Sequence, residues 1–444
     1  MMQPGQDWCS DDCAGSLDAT SYRRILPQSQ VRTHLIVKSE YEVSTRSSRY
    51  APAHGSLLRG NQSKTALMPL TELAVDEGPH NRDGLLLHAW DGSERTEAFT
   101  SRRAACPPAP SKARSWAQIL GRYRKPSHAR SIIEIAITFG PLLALWALAW
   151  TALYLDYWWL CVLLAIPAAG FLVRLFMIQH DCGHGSFFRN RSANDWVGRV
   201  IGVLTLTPYD FWRRTHAMHH ASSGHLERRG LGDVDTLTVR EYLALSFWGR
   251  LRYRVYRHPS VMFGIGPAYL FILKHRLPVG LLRNGWQPWL STMATNFAIA
   301  VIAAGLIRLI GMGPFLFVHL PIMLLAGSVG VWLFYVQHQF EMTFWAHNGE
   351  WTFQEAALHG SSHYELPRVL RWFTANIGVH HVHHLASRIP YYRLPRVLRD
   401  YPELRDVSRL TLLHSFRCVR LVLWDESRQR LISFHEMSSR GPRS

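Results

Sequence analysis

Histidine is the residue type on which chemistry can be built in this chain. His180 and His184 stand four apart in His180–Asp181–Cys182–Gly183–His184, and two further groups follow: His216–Ala217–Met218–His219–His220 and His380–His381–Val382–His383–His384. Positions three and four apart share a helix face, so each group presents its histidines as one row. His381 is the exception, turned about 100° from His380. One histidine on a helix face is most often structural; eight at ligand spacing form a metal pattern. Imidazole suits zinc, copper, iron and nickel. A structural zinc site closes with four ligands, often cysteines among them, whereas the six cysteines here are scattered without such spacing. Eight nitrogens suffice for two metal ions that keep open positions. His338, in Gln337–His338–Gln339–Phe340–Glu341, is a ninth candidate. His225, His359 and His363 are isolated and weaker, and Cys9 and Cys13 read as incidental.

Such rows need rigid elements behind them. Charged residues make up only 18% of the 444-residue chain, against about 25% in a soluble domain, so long stretches must avoid water. Four do: Ile132–Leu155, Tyr157–Ile178, Pro288–Ile310 and Pro314–Gln337, each near the ~20 residues that cross a ~30 Å hydrocarbon core as a helix. Short joins pair them into two hairpins, and Pro321 is tolerable inside a membrane helix. A shorter apolar run, Ser260–Leu273, is too short to cross and is expected at the interface. His180 and His338 then emerge at the same level, from the second and fourth spans.

The net charge of +17 comes almost entirely from arginine, with 5 Lys among 49 basic residues. Charge of this sign suits nucleic acid or an anionic membrane surface, and the apolar blocks decide for the membrane. Arg122, Arg124, Lys125 and Arg130 precede the first span, and many arginines fill the loop between hairpins, while the hairpin tips carry almost none. The positive-inside rule puts both termini and that loop in the cytoplasm. The expected fold is all-α and membrane-integral: four transmembrane helices in two hairpins under a cytoplasmic helical cap that carries the histidine boxes. Residues 1–115 read as a loosely ordered polar extension without the apolar centre of a signal peptide, 116–415 as the membrane domain, and 416–444 as a C-terminal cytoplasmic tail. The arginine-over-lysine bias points to a GC-rich bacterium and hence its inner membrane.

These boxes on two hairpins resemble the membrane fatty acid desaturases over roughly residues 130–415. His180–Phe188 (HDCGHGSFF), Thr207–Pro208–Tyr209–Asp210, Trp212–His216 and Asn376–Ile377–Gly378 are especially similar to the acyl-lipid, delta-12-type branch. The resemblance implies a non-haem di-iron centre held by His180, His184, His216, His219, His220, His380, His383 and His384, with His338 as ninth ligand and dioxygen as co-substrate. It implies an acyl lipid as substrate, with two electrons arriving from a separate ferredoxin or b-type cytochrome and its reductase. No haem-attachment CxxCH, GxGxxG fingerprint or ferredoxin-like cysteine run stands in the chain itself.

Around the metals, Asp181, Asp210 and Glu341 are candidates to orient the imidazoles, by sequence proximity alone. Arg213 and Arg214 are candidates to meet a lipid phosphate. A membrane hydroxylase or ketolase acting on an alkane, sphingolipid or carotenoid shares the boxes and the metal chemistry, and is the alternative. A metal transporter would keep ionisable residues mid-membrane, where only His319 lies. Nothing points to a nucleic-acid partner.

Overall fold

The computed structural model of the protein describes residues 116–230 and 232–439. The expected extension over 1–115, with Cys9 and Cys13, lies outside the described residues. Helix α1 spans His128–Tyr154 and α2 spans Trp158–Gly183. Ser127 starts α1 by accepting the Arg130 N–H on its hydroxyl, which satisfies one of the free donors of the first turn. Between the two helices Asp156 takes a positive φ of 63°, so the reversal needs only three residues. The cap that follows contains α3, Arg191–Leu204, and α4, Tyr209–Ser222. Two more long helices come next, α5 at Trp286–Ile310 and α6 at Met312–His338. A single residue, Gly311 at φ 88°, separates them; a side chain there would be strained, so the join is tighter than the sequence implied. The third histidine group forms the short helix α7, His380–Leu385.

The chain is thus mostly helical, with α1, α2, α5 and α6 each long and apolar enough to cross a membrane. They are not equivalent. In its most apolar stretch α2 is 56% buried and α5 only 6%. The first is the inner helix of the bundle, whereas α5 needs lipid as its solvent. One charge pair sits inside the bundle: Arg174 of α2 bonds Glu134 of α1 and the Trp372 carbonyl, and stacks 4.0 Å over the Trp372 ring. Glu134 also accepts from Tyr391 Oη at 3.0 Å. A charge buried this deeply is tolerable only when paired and hydrogen-bonded, and these partners tie both helices to the residues that flank α7.

The apolar run 261–273 is helical, with π-type turns at Val261–Ile265 and Tyr269–Leu273. It lies lengthwise on α6: Phe263 meets Trp332 and Tyr335, while Phe271 reaches Gly327, two turns further into the bundle.

Short strands close the cap, a feature the helical periodicity did not show. Strand β1, Leu237–Thr238, β2, His363–Glu365, β3, Arg409–Thr411, β4, Leu423–Asp425, and β5, Arg430–Ile432, form two small sheets, β1–β4–β5 and β2–β3. The region expected as a tail from 416 is therefore folded through Ser438. The boundary at 415 falls inside the helix Leu412–Cys418, and Trp424 and Leu431 are buried. Buried Arg257 adds a polar clasp, donating to the Asp235 and Leu421 carbonyls and to the Tyr335 and Gln339 side chains at 2.9–3.1 Å. The end of α6 is thereby fixed against both halves of the cap.

Candidate metal centre

Four helices deliver the nine candidate histidines to one volume. His180 lies in the last turn of α2, and His184 ends that helix with its N–H on the His180 carbonyl. Helix α4 supplies His216, His219 and His220; α6 ends on His338; α7 supplies His380, His383 and His384. The side chains divide into two groups, each with its ligand atoms within 4.8 Å of one another. One is His180, His184, His216, His220 and His383; the other is His219, His338, His380 and His384. The groups adjoin, with the His220 ring stacked 4.0 Å from that of His384. The second group is wholly buried, while His184, His216 and His220 of the first are partly accessible.

The nitrogens converge in a way that neutral imidazoles alone do not explain. In the first group the Nε2 atoms of His184–His216, His216–His220 and His220–His383 are 3.0, 3.1 and 3.2 Å apart. In the second, His219–His338, His338–His380 and His380–His384 are 3.1, 3.0 and 3.1 Å apart. For one pair the tautomers follow from the other ring nitrogen. His219 Nδ1 bonds the carboxylate of Asp233, and His338 Nδ1–H donates to the Gly360 carbonyl at 3.2 Å. Both Nε2 atoms are then bare lone pairs facing each other, a repulsive contact unless a cation lies between them. Two nitrogens each about 2.05 Å from one ion stand roughly 2.9 Å apart at a right angle and about 3.4 Å apart at a tetrahedral angle, which brackets the observed spacings. Burial, and then the neighbouring imidazoles, push His184, His216, His220, His380, His383 and His384 well below the usual histidine range. They are neutral at pH 7, the form that ligates. The residues present fit two divalent ions.

Residues 157–415 match the family described as fatty acid desaturase. A fatty acid desaturase of Bacillus subtilis (strain 168) is 42% identical over 312 residues, covering 70% of this chain and 88% of the relative. The chain belongs to the fatty acid desaturase family. It is also 28% identical to the Synechocystis sn-1 acyl-lipid omega-3 desaturase (ferredoxin), over 61% of this chain and 75% of the relative. The acyl-lipid omega-3 desaturase (cytochrome b5), endoplasmic reticulum, of Arabidopsis thaliana is likewise 28% identical, over 57% of this chain and 66% of the relative. The oxidoreductase class, the apolar helices and the metal-competent histidines of this desaturase agree with one another.

The carboxylates are arranged differently from what sequence proximity suggested. Asp181 accepts the Tyr391 N–H at 2.8 Å, and its other oxygen lies 3.5 Å from His180 Nδ1, beside the site but short of a good hydrogen bond. Asp210 pairs with Arg199 at 2.9 Å, and Glu341 pairs with Arg430 on an exposed edge. Neither reaches a box imidazole, because the α4 turn that carries Asp210 and the chain beyond α6 both lead away from it. The carboxylate that does reach one is Asp233, which sequence reading missed. Its signal lay in the preceding glycine. A Cβ at Gly232, φ 86°, would come within 3.0 Å of the Thr215 carbonyl and 3.3 Å of His219 Cβ, so only glycine lets this loop close on α4.

The other polar candidates are accounted for too. Arg213 is held by Asp195 and Asp210, and Arg214 donates to Gln287. His381 turns away from both groups and donates from Nε2 to the Leu404 carbonyl at 2.8 Å. His225, His359 and His363 sit beside Glu227, Glu355 and the Arg405 carbonyl, and His319 packs against Trp146 and Trp150.

Beneath the histidines lies an apolar cavity of about 570 Å³. Its walls are α2, α6 and the 261–273 segment, and His180, His216 and His380 stand in its lining, so it borders both groups. This volume is within the range of ligand-binding cavities.

Proposed function

We propose that this protein is a dioxygen-dependent acyl-lipid desaturase that inserts a cis double bond at a di-iron centre. The supporting observation is the pair of imidazole groups bordering one apolar cavity. His180, His184, His216, His220 and His383 would hold one iron, and His219, His338, His380 and His384 the other. When bound, the irons would supply the dioxygen activation that taking one hydrogen from each of two adjacent methylenes requires. With two electrons and two protons from outside, dioxygen leaves as two waters.

The chain's own contribution is positional. Asp233 and Gly360 hold His219 and His338 with Nε2 free, and the apolar walls keep water from the reacting carbons. Trp212 stacks on His216 at 4.6 Å and fixes its ring. The donor is external, a ferredoxin or a b-type cytochrome with its reductase, in keeping with the names of the Synechocystis and Arabidopsis relatives. The substrate is a membrane lipid. The four helices cross a bacterial inner membrane as two hairpins, with the cap and both termini in the cytoplasm. Residues 116–438 form the folded core, its segment from 416 cytoplasmic, with 1–115 as a dispensable extension.

Expression in a host without desaturases tests the reading: cis-monounsaturated lipids should appear, with about two irons per chain. Zinc alone, or products carrying a hydroxyl or keto group, would overturn it. Reporters after Ser444 and near Arg229 should read cytoplasmic, and one at Asp156 outside.

A further inference from the structure

The cavity wall on α6 carries two glycines one turn apart, and they do different things. At Gly327 an added Cβ would meet the Phe271 ring at 3.0 and 3.3 Å and Pro267 Cβ at 3.4 Å. That glycine exists so that the 261–273 segment can lie against α6. At Gly330 an added Cβ would meet nothing within 4 Å, yet Gly330 is in the lining. It shares a helix face with the lining residues Met323, Gly327, Phe334 and Gln337. Val329, by contrast, is exposed on the outer side. A side chain at 330 would therefore stand in the cavity and not against protein.

We propose that Gly330 sets how long an acyl segment the cavity accepts beyond the reacting carbons. The proposal rests on the desaturase reading above and deepens it. Gly330 precedes His338 by eight residues, about 12 Å along α6 at 1.5 Å per residue. A carbon chain of ~1.5 Å bonds at ~111° advances about 1.25 Å per methylene, so roughly nine or ten methylenes separate the level of the metals from Gly330. Met323, a further seven residues along, marks about 10 Å more depth, room for roughly eight additional methylenes. The polar head group stays at the interface, so the methyl-terminal segment is the part that descends past Gly330. A bulky side chain there closes the lower part of the cavity and leaves the nine histidines, eight or more residues away or on other helices, untouched.

The test uses the full-length chain in a host without desaturases, fed saturated fatty acids of graded length. Wild type, Gly330→Ala and Gly330→Leu are compared at matched membrane levels, with iron per chain measured on each. For Gly330→Leu the unsaturated fraction of the longest chain that wild type accepts should fall at least about tenfold. The shortest should stay within about twofold, and Gly330→Ala should lie between. An unchanged length profile, or a parallel loss at every length with iron retained, overturns the proposal. Should Gly330→Leu fail to accumulate or lose iron, Gly330→Ala decides: a profile equal to wild type overturns the proposal, and a shift toward shorter chains supports it. Wild type that makes no unsaturated lipid would instead overturn the desaturase reading itself.

Discussion

His338 and His381 are both buried histidines close to the third box, and the structure gives them opposite roles. His338 Nε2 lies 3.1 Å from that of His219 and 3.0 Å from that of His380, whereas His381 Nε2 is bonded to the Leu404 carbonyl. His338→Ala removes one of four nitrogens from its group. Closed four-ligand zinc sites hold their ion by about 10–16 kcal/mol. One ligand in four is then worth roughly 2.5–4 kcal/mol, or about a hundred- to a thousandfold in affinity. That variant should lose the iron of the four-histidine group and all desaturation while remaining inserted. His381→Ala should do the reverse. It strands the Leu404 carbonyl in a residue only 2% exposed, at about 1–3 kcal/mol, and the emptied ring volume adds a comparable cost. Its thermal midpoint should fall while its iron content stays at the wild-type value. Both variants are purified in detergent, iron is counted against protein, and unfolding is followed by near-ultraviolet circular dichroism. Full iron and activity in His338→Ala would refute its assignment as ninth ligand. Iron loss in His381→Ala matching that of His380→Ala would refute the separation of the two roles.

Asp233→Ala should weaken metal binding ten- to a hundredfold, about 1.4–2.8 kcal/mol, and Asp233→Asn, which can still accept from His219, should weaken it less; equal affinity in all three proteins would remove Asp233 from the site. Burial holds His184, His216, His220, His380, His383 and His384 below their unfolded value, so the stability they favour is present above about pH 6.5 and is lost as pH falls; the midpoint of metal-free protein should drop between pH 7 and pH 5. His347 has the opposite sign, since its hydrogen bond to Glu227, and then Glu426, holds its imidazolium above the usual value. That clasp contributes below about pH 6.5 and fades as pH rises, so His347→Ala should cost more stability at pH 5.5 than at pH 8.5. Glu134→Leu strands buried Arg174 and should cost about 3–5 kcal/mol, with Glu134→Leu/Arg174→Met recovering part of it; a double variant worse than the single would contradict the pairing. Deleting residues 1–100 should leave iron and activity intact, and iron loss on truncation would assign the extension to the core.

What was legible in the chain was whatever is written locally. The four apolar stretches declare themselves by length and composition, because each must satisfy its own backbone as a helix wherever its neighbours lie. The histidine rows declare themselves for the same reason: their spacing matches the helix repeat, so ligand geometry is encoded within five residues. His338 was legible by a different argument, that two spans of equal length deliver their ends to the same depth.

The residues that were missed depend on contacts across long separations. Asp233 reaches His219 only because Gly232 lets a loop fold onto α4, and Asp210 looked better placed because it sits six residues from His216 in the chain. Helical geometry separates that pair by about two-thirds of a turn beyond one full turn, and Asp210 pairs with Arg199 instead. The C-terminal strands were hidden similarly. Leu423–Asp425 is three residues long, too short to show alternation, and becomes a strand because β1 on one side and β5 on the other supply its hydrogen bonds. Local periodicity therefore finds the histidines that converge, and the tertiary fold decides which groups set their tautomers. That division explains why Asp233, and not a carboxylate inside a box, controls the lone pair of His219.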